Sequence, residues 1–497
     1  MKKNLLFLAI LLMVTALVHS SAFKLDVREH TLDNGLKLLM VVQKDAPRVV
    51  CHVYYKVGSV NERPGITGIA HFLEHMMFKG TEMMGVKDFT ANEALNRRLD
   101  ELMVKVYREK YWVEDGDQEK IAAWQQEADQ LMAAEKDMLI KDDLWETYMR
   151  HGGTGLNAST SYEVTGYYVT LPSNKVELQM LLEADRMENA FFREFYSEKN
   201  VVMEERRLSE NRPGYLFGEQ LRAAFYTASP YHWGVIGWMA DLVRITKQDM
   251  REFKERYYVP NNAVAVYVGD LDPKNIIALA EKYFGRIPAG PDHEPIRTPV
   301  PRPEAHKRFY GSGPAATSVS MLFWAPPAGH ADNPALTVLG EVLSGETGRL
   351  TRKLVQEKGL ASRVYAYSSP MWYAGAFTVG GQPSSEKGVS AEDLEKELWA
   401  ELELLINEGI SAEELQKAKN KQQARFIMGM QNPMFVTMRL GRAELHRGWR
   451  SLAQDLEDLL KVSVAEVQAA ARKYLTRDHA TIGLYTRRTP AGRPAGR

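Results

Sequence analysis

From Leu25 onward, apolar and polar positions fall into short runs punctuated by turn formers. "REHTLDNGLKLLMVVQKDAPRVVCHVYYKVGS" holds two β-rich runs broken at Asn34-Gly35 and at Asp45-Ala46-Pro47, the marks of strands joined by turns. A helical segment carrying a histidine cluster follows. Residues 99–150 then change character: they are rich in Glu, Lys, Gln, Ala and Met, contain no proline, and place Ile121, Trp124, Ala128, Leu131 and Met138 at helical spacing. With "EDGD" at 114–117 able to turn the chain, the stretch is predicted to be an inserted helical hairpin. Strand-like sequence resumes at "GLNASTSYEVTGYYVTL", 155–171, and helix from Lys175 to about Asn211. "NAVAVYVGDLDP", 262–273, reads as a buried strand and turn ahead of the helix "KNIIALAEKYFGRI".

The stretch "PAGPDHEPIRTPVPRPEAHKRF", 288–309, is dense in proline and poor in periodicity, as a linker is. Beyond it the pattern starts again. A strand-like "TSVSMLFWAPP" leads to a helix from about Pro334, a strand near Arg363, another at "GAFTVGGQP", and long helices to Tyr474. The expected fold class is α+β: an N-terminal domain over 23–290, enlarged by the hairpin, and a C-terminal domain over 306–490 on a similar plan, each of roughly 200 residues.

With 497 residues, 45% apolar and 26% charged, the chain is long enough to build more than one core. Lys and Arg number 63 against 64 Asp and Glu, which gives no electrostatic case for nucleic acid. Residues 1–22, MKKNLLFLAILLMVTALVHSSA, have the basic start, apolar run and small-residue end of a secretory signal peptide, with cleavage expected after Ser20 or Ala22. The apolar run from Leu5 to Val18 is shorter than the ~20 residues of a spanning helix, so no stable membrane anchor is expected. Export across an inner membrane, to the periplasm, is the expected destination. Losing Lys2 and Lys3 would leave 61 basic against 64 acidic residues, a balance of about −3. No cysteine lies at the cleavage region, which speaks against a lipoprotein. The single cysteine, Cys51, has no partner for a disulfide within the chain and is expected as a buried small hydrophobe.

The candidate chemistry lies in "HFLEHMMFKGT", 71–81. On a helix, residues four apart project from one face, so His71 and His75 can meet one metal ion. Glu74 stands at the edge of that face, able to reach a metal-bound water without being a ligand. H-x-x-E-H is the inverzincin arrangement, and two imidazoles suit zinc, which in a catalytic site takes a third protein ligand and keeps one position open. A carboxylate on another helix is the expected third ligand. "YSEKNVVMEERRLSENRPG", 196–214, offers Glu198, Glu204, Glu205 and Glu210, with Glu198 and Glu205 two turns apart on one helical face. A solvated charged helix with pairs such as Glu204 to Arg207 would carry the same letters, so the spacing leaves the choice open.

Four ordered stretches narrow it: "GITGIAHFLEHMMFKGT", "GLNASTSYEVTGYY", "EKNVVMEERR", and "AVYVGDLDP" with "LAEKYFG". Together they resemble the pitrilysin, insulysin and mitochondrial processing peptidase family along nearly all of the chain after residue 22. The resemblance implies that His71 and His75 bind one zinc ion, that Glu205 is its distal ligand, that Glu74 activates the water and that Glu198 is a supporting carboxylate. It implies two similar α/β-sandwich domains forming half of a clamshell around a chamber. It also implies that the strand matching Leu156 to Ser161 offers its edge to an extended, unfolded peptide, which makes Asn157, Ala158, Ser159 and Thr160 the candidate substrate-binding residues.

One departure matters. Family members with a complete site carry an Arg and a Tyr seven residues apart in the C-terminal domain, which bind the substrate carbonyl. The matching segment here, "LVQEKGLASRVYAY", 354–367, has Val355 and Ser362 at those places, and none of Arg349, Arg352 and Arg363 has a Tyr seven positions on. A heterodimer is therefore expected, with a homologous subunit supplying the Arg and Tyr. The other function class consistent with the resemblance is a non-catalytic structural or peptide-binding subunit. The isolated His232 and His446 are expected to be surface or packing residues, and the 22 methionines core filler.

Overall fold

The computed structural model describes residues 25–488 except 294, 295, 297 and 299. The signal-peptide reading of 1–22 lies outside these residues. Six strands, β1 (Val27–Thr31), β2 (Lys37–Val42), β3 (Arg48–Tyr55), β4 (Thr154–Thr160), β5 (Thr165–Pro172) and β6 (Ala263–Gly269), form one sheet in the order β1-β2-β6-β3-β5-β4. All its pairs are antiparallel save β2 with β6. Around it run α1 (Ile69–Met76), α2 (Phe89–Tyr111), α3 (Gln118–Met138), α4 (Asp143–Arg150), α5 (Val176–Asn189), α6 (Phe195–Glu210), α7 (Tyr215–Phe225), α8 (Lys247–Tyr257) and α9 (Pro273–Tyr283).

The second half holds β7 (Lys307–Gly313), β8 (Ser318–Ala325), β9 (Ala361–Pro370), β10 (Gly375–Pro383) and β11 (Thr481–Arg487), ordered β7-β11-β8-β10-β9. Its helices include α10 (Asn333–Leu343), α11 (Ala391–Glu408), α12 (Ala412–Gly429), α13 (Pro433–Arg447), α14 (Ser451–Lys461) and α15 (Val464–Tyr474). Here β7 and β11 are the parallel pair. Strand for strand, β2-β6-β3-β5-β4 and β7-β11-β8-β10-β9 follow one topology, so the pattern that repeats along the sequence is also a repeat of the fold.

Strand alternation explains how the first sheet is covered on both faces. Val49, Cys51, Val53 and Tyr55 of β3, with Ala263, Ala265 and Tyr267 of β6, join one core with α1, α5, α8 and α9. The intervening Tyr54, Val264, Val266 and Val268 join a second core with Val436, Leu440 and Leu445 of α13, a helix from the far end of the chain. The loan is returned. α7 of the first half packs on β11, where Phe217 meets Tyr485 at 5.3 Å between ring centroids. Gly483 is small for this reason: a Cβ there would come within 2.6 Å of Leu221 Cδ2.

Three elements differ from the expectation. The single strand-like run 155–171 is a hairpin, because Ser161 bonds to Val164 through both its amide (2.8 Å) and its hydroxyl (2.9 Å) and turns the chain. The helix expected over 175–211 breaks at 190–194, where Glu194 adopts φ 54° and the buried Arg193 donates to the carbonyls of Thr81 (2.7 Å) and Met84 (3.0 Å). The hairpin begins at Phe89 rather than 99, started by Asp88 accepting from the Ala91 amide at 3.1 Å. Its base is packed into the first half. Leu99, Leu102, Met103 and Val106 are buried, and so is Glu135, which accepts from Asn96 at 2.7 Å and from the Glu194 amide.

Candidate active site

The apolar positions of α1, Ile69, Ala70, Phe72, Leu73 and Met76, are all buried, so the remaining His71, Glu74 and His75 share the opposite face. The helix starts at Gly68, which has φ 91° and no side chain to cap with. Its free amides are met from outside: Glu62 accepts from Gly68 N and Ala70 N, both at 2.9 Å. Asp241 accepts from Gly65 N (3.0 Å), Thr67 N (3.1 Å) and Thr67 Oγ1 (2.7 Å). Burial pushes the Glu62 carboxyl well above the ordinary range, against the opposing effect of those amide bonds.

On α6, Phe195, Tyr196, Lys199, Val202 and Arg206 are buried, which turns Glu198 and Glu205 toward α1. Glu205 Oε2 stands 3.7 Å from His71 Nε2 and 3.7 Å from His75 Nε2. Among the described residues these three form the one grouping whose donor atoms lie within 4.8 Å of each other. The separations are too long for hydrogen bonds and close to the ~3.3 Å between two ligands of a tetrahedral zinc, so the donor set fits that ion. Of the other two glutamates, Glu204 pairs with Arg207 at 2.7 Å and Glu210 with Arg206 at 2.7 Å.

Electrostatics suit the same use. Burial first, and then His75, lowers the His71 pKa to about 4, leaving a neutral imidazole. For His75, burial acts downward, but the Glu198 bond and the carboxylates of Glu205, Glu198 and Glu74 outweigh it and raise the pKa. Its Nδ1 lies 2.8 Å from Glu198 Oε1, an arrangement in which Nδ1 donates and Nε2 keeps its lone pair for Glu205's side of the site. Glu198 is held in turn by Lys79 Nζ at 2.6 Å. Although burial opposes it, these partners pull the Glu198 pKa down to about 2. Burial raises the Glu74 carboxyl, partly offset by Thr160 and His75.

The substrate-strand candidates divide. β4 is an edge strand, with Asn157 and Ser159 exposed and Ala158 packed against the core. The Thr160 hydroxyl is taken, donating to Glu74 Oε2 at 2.6 Å. A cleft of about 550 Å³ beside Glu74 and His75 is lined by Phe78, Asn157 and, from the connection between α3 and α4, Leu139 and Ile140. Lys79, Glu62 and the Thr160 to Glu74 bond had no place in the sequence reading. Lys79 alone had a signal, four positions past His75 in the motif itself.

Elsewhere, Val355 packs against the second-half core and Ser362 donates to Gln382 O at 3.3 Å. Arg349 forms an ion pair with Glu414 at 2.7 Å. His232 bonds the Tyr226 carbonyl at 3.2 Å, and Cys51 is buried and free.

Residues 39–95 match the family described as Insulinase (Peptidase family M16), and residues 244–422 match Peptidase M16 inactive domain. The metal-fitting trio, at 71, 75 and 205, lies outside the second stretch. The chain is 29% identical over 487 residues to the zinc protease PqqE of Helicobacter pylori, a match covering 95% of this chain and 96% of that protein. A protease from Helicobacter pylori of known crystal structure aligns with TM-score 0.75 and 26% identity over 93% of this chain and 100% of its own. The periplasmic protease PqqL of Escherichia coli shares the fold at TM-score 0.69 and 19% identity, over 95% of this chain but 50% of that one. Its fold, its two matched segments and relatives that align over nearly the whole chain make it similar to the insulinase, or M16, family of peptidases.

Proposed function

We propose that this protein is the zinc-site subunit of a metalloendopeptidase that cleaves unfolded peptides. The observation that carries the reading is the convergence of His71, His75 and Glu205, from two helices, with Glu74 fixed beside them. The zinc protease named among the relatives supports the choice of metal. When bound, zinc supplies Lewis acidity toward water and toward a scissile carbonyl. His71 and His75 offer Nε2 and Glu205 offers Oε2. Glu198 and Lys79 hold the His75 ring in the ligating orientation. Glu74 accepts a proton from the attacking water and returns one to the leaving amine.

Peptide holding falls to the free edge of β4, where main-chain pairing along Asn157, Ala158, Ser159 and Thr160 is tolerant of sequence. Val355 and Ser362 leave this chain without a donor pair for the substrate carbonyl, and a homologous partner subunit supplies it. That this chain spans half of PqqL supports an assembly of two such units. Residues 1–22 direct export to the periplasm, and no helix among the described residues is long and apolar enough to cross a membrane.

The test is chelator-sensitive cleavage of an unfolded peptide by the chain together with its partner, restored by zinc. Glu74→Gln is expected to lower kcat by ~10²–10⁴ with zinc still bound, whereas His71→Ala loses the metal. Full turnover by Glu74→Gln rejects the mechanism, and zinc binding without any cleavage points to a peptide-binding subunit. Loss of one such donor typically costs ~10²–10³ in rate, so the chain alone is expected to be feeble.

A further inference from the structure

We infer that Thr160 is a positioning residue that sets the orientation of Glu74, an assignment resting on the peptidase reading above. Thr160 ends β4, whose side chains alternate: Leu156 is buried, Ala158 packs inward, and Thr160 falls on the same side, toward α1. Its hydroxyl donates to Glu74 Oε2 at 2.6 Å. Thr165 Oγ1 lies 3.5 Å from that hydroxyl, with its own proton given to the Val57 carbonyl at 2.9 Å. Thr165 is the residue paired with Thr160 across the β4–β5 ladder.

Two consequences follow from carboxylate chemistry. A glutamate has three rotatable bonds and two equivalent oxygens, and beside two imidazoles and Glu205 it has several places to point. Engaging Oε2 restricts that rotation. The same bond joins the base to the last residue of the strand whose edge would pair with a peptide, so peptide backbone and base share one frame. A displacement of ~1 Å at a reacting group is enough to cost ~10² in rate, and this bond is what holds Glu74 to less.

Thr160→Val keeps the shape and removes the donor, while Thr160→Ser keeps the donor. With the partnered, zinc-loaded enzyme and an unfolded peptide, Thr160→Val is expected to lower kcat ~10–100-fold with KM and zinc content unchanged, and Thr160→Ser to recover most of it. A Thr160→Val enzyme with wild-type kcat, or one whose loss lies in KM or in zinc, overturns the assignment. A crystal structure of Thr160→Val gives a readout without turnover: the Glu74 carboxylate leaves its wild-type rotamer if the inference holds and keeps it if the inference is wrong. Should the wild-type assembly show no cleavage dependent on Glu74 while the carboxylate still swings free in Thr160→Val, the peptidase reading fails and the positioning role stands.

Discussion

His75 makes its two ring nitrogens do different things, one bonded to Glu198 and the other facing Glu205, and Lys79 is what keeps the first of these in place. Lys79→Met removes the cation that braces Glu198 without touching a ligand. Zinc affinity is expected to fall ~10–100-fold, read by competition with a metal-binding dye, while the far-ultraviolet circular dichroism stays the same. The imidazole pair and Glu74 were legible in the sequence because they sit within five consecutive positions and one helical face. Glu205 was not separable from Glu204 and Glu210 by spacing. What separates them is the company of Arg207 and Arg206, which face solvent and α7 and draw the other two carboxylates away. Thr160 is a substrate-strand candidate by resemblance, and its bond to Glu74, 86 positions earlier, could not be read from its own segment.

At the scale of elements, hydrophobic periodicity found most strands and helices, and failed where single polar side chains redirect the backbone: Ser161 between β4 and β5, Arg193 between α5 and α6, Asp88 at the start of α2. None of these changes the apolar pattern. A further link between elements has a pH signature. The Trp372 ring, in the turn between β9 and β10, stacks on His446 of α13 with centroids 4.9 Å apart. Burial, then the charges of Arg447 and Lys56, lowers the His446 pKa to about 4, with Asp455 the one carboxylate acting the other way. A folded pKa below the unfolded ~6.5 means that the unfolded chain takes up the proton first. The stack's stabilisation is therefore complete above pH ~6.5 and lost as pH falls toward about 4. His446→Phe keeps the stacking and removes the titration. Its Tm is expected to drop less than the wild type's across that interval, and parallel Tm profiles would contradict the account.

For the whole molecule, the five-strand order recurs in both halves while, among the described residues, the grouping that fits a metal lies in the first: α1 presents His71, Glu74 and His75, whereas α10 is buried at Leu336, Leu339 and Leu343 and presents no such face. That duplication was visible in the sequence as a restarted strand and helix pattern. The crossing of α7 onto β11 and of α13 onto the first sheet was not, since each helix is amphipathic in the ordinary way and nothing in its letters says which sheet it covers. The reciprocal crossing fixes what happens when the chain is cut. A specific protease site placed within 296–300 should yield two fragments that elute together in gel filtration, and separate elution would show the exchanged contacts to be weak. Gene fission at this joint is thus tolerable provided both products are made, whereas loss of either open reading frame strips the survivor of a covering helix and leaves an insoluble remnant.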